Sequence, residues 1–212
     1  MQSLESSRQL GGRLIVVSNR APFRIVHEAG RERVQPTVGG VATTFLHLLE
    51  THGGLWVAWS GGTETPEQID IRRKGQPFSV ALIGLTERQI SHYYWNMCNR
   101  GLWPLMHFMP RKCHFGAIDW ECYREVNEQF TRSCSAQLRS GDTVWIQDFH
   151  LALLPDLLRE TSPNRPIGLF WHVPLLSLVD LALETSPKTR HLWYAALEAD
   201  AEFHGGQRTL AR

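Results

Sequence analysis

Short apolar runs, each closed by a small or ionisable residue, constrain this chain more than any other feature. Residues 14–17 read Leu-Ile-Val-Val and lead into Ser18-Asn19-Arg20; residues 55–60 lead into Gly61-Gly62; residues 143–147 lead into Asp148; residues 167–171 lead into His172. Apolar stretches this short suit strands buried on both faces. Between them the spacing turns helical: Val41, Phe45, Leu48 and Leu49 repeat at helical intervals, and Tyr123, Val126, Phe130 and Leu138 share one face of residues 119–138. Residues 78–83 add a β-rich segment before Thr86, whose hydroxyl can cap a helix over 87–98. Gly141-Asp142 ends the long helix, and residues 151–159 predict another before Pro163 and Pro166. This alternation predicts an α/β fold: a Rossmann-like, mostly parallel sheet with helices on both faces, over residues 13–212. Residues 1–12 are polar and read as a flexible leader.

Charge excludes some partners. The 22 basic and 21 acidic side chains are interspersed and leave a formal net charge of +1, so no long-range field gathers nucleic acid or an anionic membrane. The most apolar window, 167–183, is broken by His172, Pro174 and Asp180 and falls short of the roughly 20 residues that cross a bilayer. A cytoplasmic protein is expected. Cys98, Cys113, Cys122 and Cys134 are irregularly spaced, without C-x-x-C or zinc-finger spacing, and read as reduced thiols with no metal site.

In a doubly wound sheet, ligands bind beyond the carboxyl ends of the strands. Arg20, the Gly39-Gly40 pair, Asp148, His150 and His172 all fall at such ends. Each also has a plain structural reading. His172 suits a core histidine bonded to a carbonyl, Asp148 suits a cap for the following helix, and Gly39-Gly40 suits a turn. Tyr93-Tyr94 and Trp103-Pro104 suit the core as well as a ligand platform.

Six segments shift that balance. RLIVVSNRAPF (13–23), TVGGVATTF (37–45), GGLWVAWSGG (53–62), HYYWNMCNRGLWPLMH (92–107), VWIQDFHLALLPDLLR (144–159) and IGLFWHVP (167–174) occur in the order found in trehalose-6-phosphate synthases. The chain resembles the amino-terminal domain of that family, with a fainter echo over 197–212. The resemblance implies the two-domain GT-B fold with the second, nucleotide-binding domain absent. It implies glucose transfer from UDP-glucose to glucose 6-phosphate with retention, giving trehalose 6-phosphate and UDP. The expected partners are these small molecules, with self-association or pairing with a full-length synthase left open.

Carried over by motif, Arg20 contacts the acceptor phosphate, while Trp59, Tyr94, Trp103 and Asp148 line the acceptor pocket. Gly39 and Gly40 admit the donor diphosphate to backbone amides, and His172 holds the donor glucose, so that His172 and Asp148 stand nearest the chemistry. No metal and no bound cofactor are implied, the leaving phosphate itself taking the acceptor's proton. Turnover by this chain alone is not expected. Two departures stand out: the family's His-Asp-Tyr-His is Gln147-Asp148-Phe149-His150, and its aromatic-Pro step is Leu175-Leu176. A transferase acting on glycerol 3-phosphate and a non-catalytic sugar-phosphate-binding module are the alternatives. A nicotinamide enzyme is disfavoured, for no G-x-G-x-x-G follows the first strand.

Overall fold

The computed structural model describes residues 12–28, 31–36, 40–63, 68–71 and 75–173, with residues 24–28, 31–36, 40, 41 and 110 described by their backbone only. Six strands form one sheet in the order β5-β6-β4-β1-β7-β8. They are β1 (Leu14–Arg20), β4 (Gly54–Trp59), β5 (Gln68–Ile71), β6 (Phe78–Ile83), β7 (Thr143–Gln147) and β8 (Ile167–Phe170). All neighbours pair in parallel except β5, which lies antiparallel on β6. Two further strands, β2 (Phe23–Glu28) and β3 (Arg31–Pro36), form a separate antiparallel hairpin.

Alternation along the strands divides two cores. Ile15, Val17, Leu55, Val57, Trp59 and Ile83 face one side, while Leu14, Val16, Trp56, Ala58, Val80 and Leu82 face the other. The helix α1 (Gly40–His52) covers the second side, setting Phe45 edge-on to Trp56 at 5.8 Å and to Trp145 at 6.0 Å. The first side is covered by α4 (Ala117–Gln137), α5 (Leu154–Thr161) and a helical run starting at Glu87. Trp56 is 1% exposed and its Nε1 donates to Ser18 Oγ at 2.7 Å. Truncating a ring so buried costs about 3–5 kcal/mol.

The run from Glu87 departs from expectation. Thr86 forms a capping box with Gln89, and α2 (Glu87–Gln89) then passes into a π-helical stretch (Ile90–Leu102) and α3 (Trp103–Met106). Its buried residues Tyr93, Met97, Cys98, Gly101 and Leu102 recur at the roughly 4.4-residue turn that i→i+5 bonding implies. An α-helical repeat would turn Asn96 and Arg100 inward instead. The helix expected over 87–98 therefore continues to Met106 with a wider turn. The helix expected from Leu151 starts at Leu154, after a 3-10 turn (Phe149–Leu151), and β1 extends through Arg20 instead of ending at Val17.

At the amino edge of the sheet, Asp142 accepts from Arg13 Nη2 at 2.8 Å and from Arg13 Nε at 3.2 Å. The backbone N–H groups of Arg13 and Arg139 complete its shell at 3.1 and 2.8 Å. Burial alone would raise this carboxyl's pKa, but these donors outweigh it and hold the carboxyl below its ordinary value. The four cysteines form no disulfide among the described residues. No helix among the described residues is long and apolar enough to cross a membrane.

Candidate active site

The order of the strands puts the topological switch between β1 and β7, whose neighbours continue in opposite directions across the sheet. Beyond their carboxyl ends lies the crevice where such sheets take ligands. Parallel pairing sets Ser18 beside Gln147, so Arg20 and Asp148 emerge on either side of one seam.

A bulge aims Arg20. The β1–β4 register runs Ser18 to Ala58 and then jumps to Arg20 opposite Trp59, leaving Asn19 as the surplus residue. Such an insertion lets two consecutive side chains share a face. Asn19 accepts the phenolic hydrogen of Tyr93 at 2.7 Å. Arg20 lies over the Trp59 ring at 4.6 Å and the Tyr94 ring at 4.8 Å, capping the corner where those two rings meet with centroids 5.4 Å apart. Cation–π contacts of this kind contribute about 0.5–2 kcal/mol each. Trp59 is 1% exposed, and its Nε1 donates to the Gly62 carbonyl at 2.7 Å, which fixes the ring. Among the described residues no carboxylate pairs with Arg20, so the guanidinium is held by rings and its donors stay available.

The rings continue as an arc. Tyr94 stacks near His150 at 6.2 Å, His150 on Phe149 at 4.1 Å, and Phe149 meets Trp103 at 6.2 Å. Burial among these rings, reinforced by the charge of Arg20, drives the His150 pKa down to about 4 against the opposing pull of Asp148. A neutral imidazole results at ordinary pH.

Asp148 sits at φ 70°, a left-handed conformation that strains a non-glycine residue by about 1–3 kcal/mol. Three hydrogen bonds hold it there. Its Oδ1 accepts from the backbone N–H groups of Phe149 at 3.0 Å and His172 at 3.3 Å, while its own N–H donates to the Phe170 carbonyl at 2.7 Å. Asp148 thus caps a 3-10 turn, not the helix expected at Leu151, and its second oxygen accepts no hydrogen bond from the described residues.

The fold therefore gathers Arg20, Trp59, Tyr94 and Asp148 at one edge, with Trp103, 44% exposed, at the end of the arc. His172 joins this group only through its backbone. Its exposed ring turns edge-on to Phe170 at 4.6 Å, so it is not the core histidine its position allowed. Gly40 opens α1, while Gly39 and residues 175–187 and 197–212 lie outside the described residues. His150, expected at this edge from the Asp-x-His step after a buried strand but assigned no role in the pocket, stands in the arc; no sequence signal assigned a role to Asn19.

The model of glycosyltransferase family 20 matches residues 12–178. The UDP-forming alpha,alpha-trehalose-phosphate synthase of Emericella nidulans is 33% identical over 184 residues, which cover 84% of this chain and 36% of that protein. A crystal structure of the corresponding synthase from Burkholderia vietnamiensis superposes with TM-score 0.73 at 32% identity, covering 90% of this chain and 40% of the other. That from Burkholderia xenovorans, in complex with glucose-6-phosphate, gives TM-score 0.71 at 31% identity, covering 87% and 38%. This chain thus spans between 36% and 40% of the length of those proteins. With the family model matched across the whole described sheet and the same fold in solved members, the chain belongs to glycosyltransferase family 20.

Proposed function

We propose that this chain forms the acceptor-side half of a UDP-glucose-dependent, retaining glucosyltransferase of the trehalose-phosphate synthase type. Glucose passes from UDP-glucose to the anomeric hydroxyl of glucose 6-phosphate, giving trehalose 6-phosphate and UDP. The observation that carries this reading is Arg20, resting on the faces of Trp59 and Tyr94 and paired with no described carboxylate, across the β1–β7 seam from Asp148. A planar guanidinium matches phosphate oxygens bidentately. A carboxylate with one unused oxygen accepts from sugar hydroxyls, and Tyr94 and Trp103 offer faces to the C–H edge of a sugar. On the donor side the reading assigns the diphosphate to the Gly39-Gly40 step and the glucose to His172. The bond from the anomeric carbon to the leaving phosphoryl oxygen breaks, the bond to the acceptor oxygen forms on the same face, and the acceptor's proton goes to the leaving phosphate. No bound cofactor or metal enters, the sugar nucleotide being a substrate, and cysteines outside disulfides suit a cytoplasmic protein.

Calorimetric titration of the chain with glucose 6-phosphate tests the reading. Binding is expected, weakened by about 100-fold in Arg20→Ala and about tenfold in Arg20→Lys, because an ammonium lacks the two-pronged geometry. Binding of glycerol 3-phosphate with none of glucose 6-phosphate would replace the acceptor. No release of UDP by this chain alone is expected, and turnover without further polypeptide would overturn the assignment to one half of the enzyme.

A further inference from the structure

Gln147 ends β7 and is 5% exposed. Its Oε1 accepts from Trp145 Nε1 at 3.1 Å. An indole N–H can only donate, so this bond settles which end of the amide is oxygen. The other end, Nε2, is buried and has no hydrogen-bond partner among the described residues. Buried donors are nearly always satisfied, and an orphan among them calls for an explanation.

Its surroundings say what is missing. The neighbouring hydroxyl across the ladder, Ser18 Oγ, accepts from Trp56 Nε1 at 2.7 Å and donates to the Arg20 carbonyl at 2.8 Å, and it makes no hydrogen bond with Gln147. The neighbour on β8 is Phe170. Trp145, two residues back on the same face, packs against Phe45 of α1, which places Gln147 on the side of the sheet that α1 covers. The chain returns through α1 from β1 to the parallel β4, so the helix begins at the carboxyl edge. Gly40 precedes Phe45 by five residues, about 7.5 Å of helix toward that edge. Gln147 lies about 6.6 Å beyond Trp145 in the same direction. The orphan amide and the first turn of α1 therefore reach the same level, beside the switch point. That turn carries no acidic residue, and its N–H groups lack intrahelical partners.

We propose that Gln147 is a ligand-binding residue whose side-chain NH2, with the first turn of α1, takes a phosphoryl oxygen of the donor's diphosphate. The assignment rests on the transferase reading above. It separates two phosphate-binding tasks across the sheet: Arg20 faces the side of Trp59, and Gln147 faces the side of α1.

Inorganic pyrophosphate is the probe, titrated by calorimetry into the 212-residue chain and into Gln147→Met and Gln147→Glu, with glucose 6-phosphate in parallel. Methionine keeps the volume and removes the donor; glutamate keeps the oxygen that Trp145 requires and opposes an anion. Pyrophosphate affinity is expected to fall about tenfold in Gln147→Met and further in Gln147→Glu, while glucose 6-phosphate affinity changes less than about twofold. Gln147→Met also removes the acceptor of Trp145 Nε1, so its melting temperature should fall modestly, and affinities are compared well below that temperature. Unchanged pyrophosphate affinity in both variants, absence of pyrophosphate binding in the parent chain, or an equal loss for glucose 6-phosphate overturns the proposal. Failure of glucose 6-phosphate to bind the parent chain instead overturns the transferase reading itself.

Discussion

His150 shows how a residue can report on the site without bearing charge. Its pKa, near 6.5 in an unfolded chain, is driven down to about 4 here. Between those values the unfolded chain binds the extra proton and the folded one does not, so stability is complete above about pH 6.5 and declines on acidification toward 4. The melting temperature is expected to fall across that window, reflecting up to about 3 kcal/mol, and His150→Phe should flatten the decline while keeping the stack. An equal slope in the variant would place the titration elsewhere. Arg20 and Asp148 were legible because each directly follows an apolar run. Their aim was not: the jump that turns Arg20 onto Trp59 depends on β4, which no local pattern reveals. The strained backbone of Asp148 likewise depends on His172, 24 residues away.

Among the elements, the parallel strands and α1 were readable, because their apolar runs and helical spacing arise from burial on the two faces of one sheet. The hairpin of β2 and β3 escaped, as Arg24, Glu28, Arg31, Glu32 and Arg33 disguise its alternation, and it pairs with nothing in the main sheet. The π-helical stretch escaped because a 3.6-residue period and a wider one diverge only over several turns. Its docking gives a prediction. A Cβ on Gly101 would stand 2.6 Å from Phe115 Cε1 and 2.9 Å from the His114 carbonyl oxygen. Gly101→Ala should therefore destabilise by about 1–3 kcal/mol in urea unfolding, despite alanine's better helix propensity. A stabilised variant would mean that the connector before α4 yields freely.

For the molecule as a whole, the two edges of the sheet have different duties. The Arg13–Asp142 cluster closes the amino edge with a carboxylate 1% exposed, leaving the carboxyl edge to ligands. Removing Arg13 strands that buried charge, so Arg13→Ala should cost about 3 kcal/mol at neutral pH. The folded carboxyl titrates below its unfolded value, so its contribution is present above about pH 3.9 and lost on further acidification. An acid-unfolding midpoint unmoved by the substitution would show that other groups govern that transition.

The surplus residue in β1 has a last consequence for the whole. Asn19 and Arg20, consecutive on the sheet, meet Tyr93 and Tyr94, consecutive on the π-helical stretch. Two adjacent pins entering two adjacent sockets fix rotation as well as distance, so the helical stretch cannot roll on its axis without tilting the guanidinium. Whatever seats itself on that cation meets a surface already keyed, and forfeits little freedom of the protein in doing so.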